Sequence, residues 1–135
     1  MTSQMNLGNI SKEHLSFNTI NDVPKYFTGS CCIGSGIYYF KDGKKHREDG
    51  PAIVFENSDK NWYINGLRHR EDGPAIEWSS GYKVWCIRGK RHRLDGPAVE
   101  KVNGEKAWYL NGEIHGTNND FTNESWFHFQ RTIIF

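Results

Sequence analysis

Four histidines, His46, His69, His92 and His115, recur every 23 residues, and the first three open one phrase: His-Arg-Glu-Asp-Gly-Pro-Ala at 46–52 and 69–75, then His-Arg-Leu-Asp-Gly-Pro-Ala at 92–98. Imidazole, guanidinium and carboxylate within a few residues are the ingredients of a zinc site or of general acid–base catalysis. Spacing argues against both. Zinc holds its donor atoms about 2 Å from one ion, whereas positions one repeat apart in a β-array stand about 10 Å apart, two strand spacings. Asp49, Asp72 and Asp95 each precede Gly-Pro, where an Asx-type turn accounts for them. The imidazoles are expected to hydrogen-bond across a turn or to pack on a neighbouring ring. Glu48 and Glu71 are expected to pair with arginines of neighbouring units.

The remaining reactive side chains offer little. Cys31-Cys32 lacks the spacing of a zinc or redox pair, and Cys86 occupies a column held by Tyr63 and Tyr109. The glycines form no phosphate-binding loop. The sequence therefore reads as a non-enzyme without cofactor or metal. The competing enzyme reading needs His14, His128 and the cysteines to converge at one end of the array.

The elements that carry the phrase follow from superposing residues by 23. Tyr39, Trp62, Trp85 and Trp108 form one column; Phe40, Tyr63, Cys86 and Tyr109 the next; Gly43, Gly66, Gly89 and Gly112 close the turn. Asn65-Gly66, Asn111-Gly112 and Asp42-Gly43 are two-residue hairpin signals, and Arg88-Gly89 is a weaker version. Each unit is expected to supply about two antiparallel strands, with a bend at Asp-Gly-Pro. No window shows helical periodicity within the repeats. The predicted fold is all-β: an elongated, single-layer antiparallel β-meander or solenoid. The chain divides into a lead-in or cap (1–36), the array (37–116, with units at 37–59, 60–82, 83–105 and a partial 106–116) and a second cap (117–135). In that cap Thr122 could start a helix with Glu124 in its first turn, although Thr132–Phe135 reads equally well as a closing strand. Trp126, Phe127, Phe129, Ile133, Ile134 and Phe135 are expected to cover the last rung.

Composition narrows the partner. Seventeen basic and sixteen acidic residues give a net charge of +1, unlike a strongly basic nucleic-acid binder. Aromatic residues reach 14%, enough for a folded core. No stretch has the length of a membrane span, the first residues are polar rather than a secretory signal, and three cysteines form no disulfide framework. A reducing, cytoplasmic setting is expected.

The stretch WYINGLRHREDGPAIEW, Trp62 to Trp78, resembles MORN repeats, in particular a divergent group with the phrase Asn-Gly-x-x-His-Arg-Glu-Asp-Gly-Pro-Ala. Similar repeats occur in small phage proteins and in bacterial toxin–antitoxin immunity components. The resemblance implies β-hairpin arrays and protein–protein contact. It points to a phage-type protein that binds and inhibits a host defence or nucleic-acid-processing protein. Two alternatives stand beside it: direct binding of nucleic acid or anionic lipid through a basic stripe, and an immunity component that neutralises a toxin. A homodimer is also compatible. The usual MORN unit has Gly after His; here only His115-Gly116 keeps it, and Arg47, Arg70 and Arg93 replace it. Because repeated columns serve the fold, partner contact is expected at Arg68, Tyr82, Arg88, Lys90 and Arg91.

Overall fold

Four turns set the pattern. In a computed structural model of the chain, which describes residues 15–134, both central residues of each expected hairpin turn have positive φ: Asp42 and Gly43 (51° and 81°), Asn65 and Gly66 (50° and 81°), Arg88 and Gly89 (50° and 81°), Asn111 and Gly112 (49° and 87°). A type I′ turn demands this, and only Arg88 is a residue that resists it. The turns join β3 (Gly36–Lys41) to β4 (Lys44–Lys45), β7 (Tyr63–Ile64) to β8 (Leu67–Arg68), β11 (Cys86–Ile87) to β12 (Lys90–Arg91) and β14 (Lys106–Leu110) to β15 (Glu113–Thr117).

The main sheet has eleven strands. It starts with β1 (Leu15–Phe17) and β2 (Gly29–Ile33) and passes through β3 to β5 (Ile53–Phe55). It continues through β6 (Lys60–Asn61), β9 (Ile76–Glu77), β10 (Lys83–Val84) and β13 (Val99–Glu100), and ends on β14 and β15. The expected single antiparallel layer needs two corrections. The sheet is mixed, because β1 runs parallel to β2. The strands also break: β6 belongs to the main sheet, whereas β7, just after Trp62, belongs to a separate hairpin with β8. Each middle unit thus gives more than two strands. The hairpins link to one another through Gly66 N–H to Lys45 O, Gly89 N–H to Arg68 O and Gly112 N–H to Arg91 O, each 2.8 Å.

Alternation along the short strands sorts the main sheet into two faces. On one, Ile53, Asn61, Ile76, Val84 and Val99 lie side by side across β5, β6, β9, β10 and β13 and are buried. On the other, Lys60, Glu77, Lys83, Glu100 and Lys106 follow in alternating sign, an arrangement in which opposite charges meet across each strand pair.

The phrase returns the chain from hairpin to main sheet, and its arginine fixes that passage. Arg47, Arg70 and Arg93 lie over the rings of Tyr39, Trp62 and Trp85, with the guanidinium carbon 4.0, 3.9 and 3.7 Å from the ring centre. In each copy Nε donates to the Asp two residues on, and Nη1 donates to the proline carbonyl four residues on. Asp49, Asp72 and Asp95 therefore act as ion-pair partners and not through the expected Asx turn. Arg70 and Arg93 also reach Glu77 and Glu100 on the charged face. The glycine of the phrase makes room: a Cβ on Gly50, Gly73 or Gly96 would stand 3.1, 2.7 or 2.9 Å from that guanidinium carbon.

The ends reuse this geometry. Gly43 N–H donates to Phe27 O at 2.8 Å, so the lead-in supplies the carbonyl that a preceding hairpin supplies elsewhere. At the far end Gly116 stands in the arginine column. A Cβ there would meet the Phe121 ring at 2.7 Å, and Phe121 and Trp126 flank the buried Trp108. Trp126 lies on helix α1 (Asn123–Ile134), capped as expected by Thr122, whose Oγ1 accepts from Ser125 N–H at 3.2 Å. Helix thus replaces the alternative closing strand over Thr132–Ile134 and qualifies the all-β expectation. Phe127 and Ile133 are exposed rather than covering the last rung; the side chain of Ile134, and Phe135, lie outside the described residues.

If the guanidinium-on-ring contact needs the missing Cβ, Gly73→Ala lowers stability by about 1–3 kcal/mol through overpacking. In an Arg70→Ala background the same change costs much less. A double-mutant cycle from denaturant melts checks this; additive losses would contradict it.

Candidate partner-binding groove

The phrase face is chemically occupied. Nδ1 of His46, His69 and His92 accepts the backbone N–H of Asn65, Arg88 and Asn111, each 19 residues on, at 2.9, 2.9 and 3.0 Å. A backbone N–H can only donate, so each ring is neutral and carries its proton on Nε2. That proton points to Glu48 at 3.1 Å and Glu71 at 3.3 Å. The glutamates therefore pair with histidines of their own unit and not, as expected, with arginines of the next. In the third unit Leu94 stands in the glutamate column, and its carbonyl accepts from Trp126 Nε1 at 2.9 Å and from Gln130 Nε2. His115 packs beside the stacked rings of Trp126 and Phe129, at 6.0 and 5.4 Å. Among the described residues no group of three or more His, Cys, Asp or Glu side chains could hold a metal ion.

The convergence required by the enzyme reading is not formed by the described residues. Cys31 and Cys32 lie on β2 near one end of the strand order, and His128 lies on α1 at the other. Burial pushes the Cys31 thiol up to about 11, which leaves it a poor nucleophile. His14 falls outside the described residues.

The opposite face of the main sheet carries the buried apolar row, with a groove above it. Ile76 and Val84 from that sheet line a groove together with Arg68, Cys86 and Arg91 from the hairpins. Trp78 and Tyr82 stand beside it, their ring centres 5.0 Å apart. Towards the fourth unit the groove continues past Tyr82 and Arg91 to Val99, Ala107 and Tyr109. Beside it, cations and rings alternate across the hairpin strands. Lys45 and Arg68 both lie over Tyr63, at 5.1 and 5.7 Å, and Arg91 lies over Tyr109 at 5.3 Å. Burial and the neighbouring Arg68 lower the Lys45 pKa, which shows how close these cations stand.

Charge separates the two faces. Every phrase arginine has a carboxylate partner. Lys45, Arg68, Lys90 and Arg91 have none among the described residues, and no Asp or Glu lines the stretch between Arg68 and Arg91. This stretch of the groove is therefore an uncompensated positive surface with an apolar floor, suited to an anionic partner that carries apolar side chains.

Of the five positions expected to contact a partner, the groove gathers four: Arg68, Tyr82, Lys90 and Arg91. Lys90 sits towards the hairpin tips, its Cβ 3.6 Å from the Cβ position of Gly112. Arg88 does not join them. It is exposed in the hairpin turn, with its N–H bound to His69. Lys45, Tyr63 and Tyr109 were missed, although superposition by 23 places Lys45, Arg68 and Arg91 in one column facing the column of Phe40, Tyr63, Cys86 and Tyr109. Comparison of the chain with protein-family models, with curated proteins and with solved structures finds no match.

The inter-unit histidine bond makes a pH prediction. Burial lowers the His92 pKa below its ordinary 6.5, so the unfolded chain takes up the proton more readily than the folded one. The stability this supplies is complete above about pH 6.5 and is lost as the pH falls through the lowered folded value. Thermal melts should show stability falling from pH 6.5 downward. His92→Asn, whose side-chain oxygen accepts the same N–H without titrating, should show a shallower fall over that range. Parallel pH profiles for the two proteins would contradict the assignment.

Proposed function

We propose that this protein is a non-catalytic protein–protein interaction module. It is an array of MORN-like hairpin repeats, a β-solenoid of the divergent type, with a lead-in and a C-terminal segment as its caps. It works as a small phage-type inhibitor that seats an acidic face of a host defence or nucleic-acid-processing protein against its groove. The cytoplasm is its proposed place of action. Among the described residues no helix is long and apolar enough to cross a membrane.

The observation that carries this reading is the division of charge. The repeated arginines are neutralised within their own units, whereas Arg68 and Arg91 line the groove, and Lys45 stands over Tyr63, without carboxylate partners among the described residues. Steric occlusion of an acidic surface needs no chemistry from the protein, and charge complementarity supplies fast encounter and selection of partner. An acidic protein fits better than a nucleic acid, because Tyr63 and Tyr109 each already carry a cation over the ring, which leaves fewer faces for base stacking.

The test uses three labelled probes of similar charge: a glutamate-rich peptide, a single-stranded oligonucleotide and anionic vesicles. The expected result is binding of the peptide, weakened about 100-fold or more by Arg68→Glu with Arg91→Glu, since two charged hydrogen bonds worth about 1.5–3 kcal/mol each are lost. Arg88→Glu, off the groove, should change affinity by less than about twofold. Preference for the oligonucleotide, with a steep salt dependence, would replace this reading by nucleic-acid binding. Equal binding by all variants would remove the groove from the account.

A further inference from the structure

One interruption in the groove is more specific than its charge. Tyr63, Cys86 and Tyr109 occupy the same column of successive units, so the third unit lacks the ring that its neighbours carry. β11, which holds Cys86, runs between β8 with Arg68 and β12 with Arg91. Both arginines act on the Cys86 thiol, which burial otherwise pushes up. Yet neither guanidinium rests on a ring there. Arg68 lies over Tyr63 of its own hairpin and Arg91 lies over Tyr109 of the next. They lean away from each other, and a cavity of about 450 Å³ opens between them. Its floor is Val84 and Cys86, and Trp78 and Tyr82 stand beside it.

We infer that this cavity is an anchor pocket for one aromatic side chain of an acidic partner peptide, a Phe or Tyr with carboxylates on both sides. The inserted ring takes the place that Tyr63 and Tyr109 hold in their units and restores the alternation of cation and ring. The flanking carboxylates meet Arg68 and Arg91, which stand about 10 Å apart at two strand spacings. The guanidiniums lean further apart than their strands, and in an extended segment the residues two before and two after the ring share its face and span about 13 Å. The apolar floor, the ring pair at the wall and two unpaired guanidiniums each select one part of this ligand. The assignment rests on the groove-binding reading above and adds to it a requirement for the ring.

The test compares two short acidic peptides, acetyl-Glu-Glu-Phe-Glu-Glu-amide and the same peptide with Ala for Phe, by calorimetry against the full chain. Burial of a Phe side chain is worth about 1.5–3 kcal/mol, so the Phe peptide should bind about 10- to 100-fold more tightly. Cys86→Tyr, which writes the neighbours' residue into the third unit, should fill the pocket. It should erase the Phe-over-Ala preference while leaving the weaker binding of the Ala peptide. Circular dichroism and melting temperature establish that the variant folds, and Cys86→Leu is a second, smaller filling residue expected to reduce the preference in part. Equal affinity of the two peptides for the wild-type chain would overturn the pocket and leave the groove standing. So would a preference that survives Cys86→Tyr in a folded protein. Binding of neither peptide would sink both. An oligonucleotide whose binding is lost in Cys86→Tyr would assign the pocket to a nucleobase and overturn the peptide.

Discussion

A guanidinium placed over an aromatic ring holds the phrase of each unit. Arg47, Arg70 and Arg93 cover Tyr39, Trp62 and Trp85 at 3.7–4.0 Å, and at Trp62 and Trp85 the strand leaves the main sheet for its hairpin. Cation–π contact of this kind contributes about 0.5–2 kcal/mol. Its structural consequence is larger, because the same side chain also binds the Asp and the proline carbonyl of the phrase. One residue thereby ties the ring, the turn and the returning strand together. The glycine of the phrase exists for this contact, since its Cβ would occupy the space of the guanidinium. The histidine completes the unit by binding the backbone of the next turn, which makes each unit depend on its successor.

The same constraint explains where the pattern stops. Gly116 ends the arginine column, and without a guanidinium Trp108 would be open to water. Phe121 and Trp126 close over it instead, and α1 is anchored to the third unit through the Leu94 carbonyl. Neutralisation of the repeated arginines also decides where function can reside. Cations committed to carboxylates contribute little to a partner, whereas Lys45, Arg68 and Arg91 stand over rings with their charge unspent.

Much of this was legible in the sequence, and the reason is local. The Asn-Gly and Asp-Gly turns specify their own backbone, and all appear where expected; Arg88-Gly89 follows because the glycine column is kept. Thr122 announces its helix by the same kind of local bond. What the sequence hid depends on which way a side chain turns. Asp72 precedes Gly-Pro and looks like a turn residue, but its carboxylate faces Arg70 two positions back. Glu71 looks like a partner for arginine, but His69 offers the nearer proton. Arg88 looks like a surface cation beside Arg91, yet the positive φ of the turn places it off the groove. The break of the strand at Trp62 was likewise invisible, because alternation reads the same on both sides of it.

The division between committed and free arginines can be observed directly by nuclear magnetic resonance of the side-chain Nε–H groups, with and without an acidic peptide. The account predicts slow hydrogen exchange at Arg47, Arg70 and Arg93 and no movement of their signals on adding peptide. Arg68 and Arg91 should exchange freely and shift as the peptide binds. Uniform exchange across all five, or shifts confined to Arg47, Arg70 and Arg93, would contradict it.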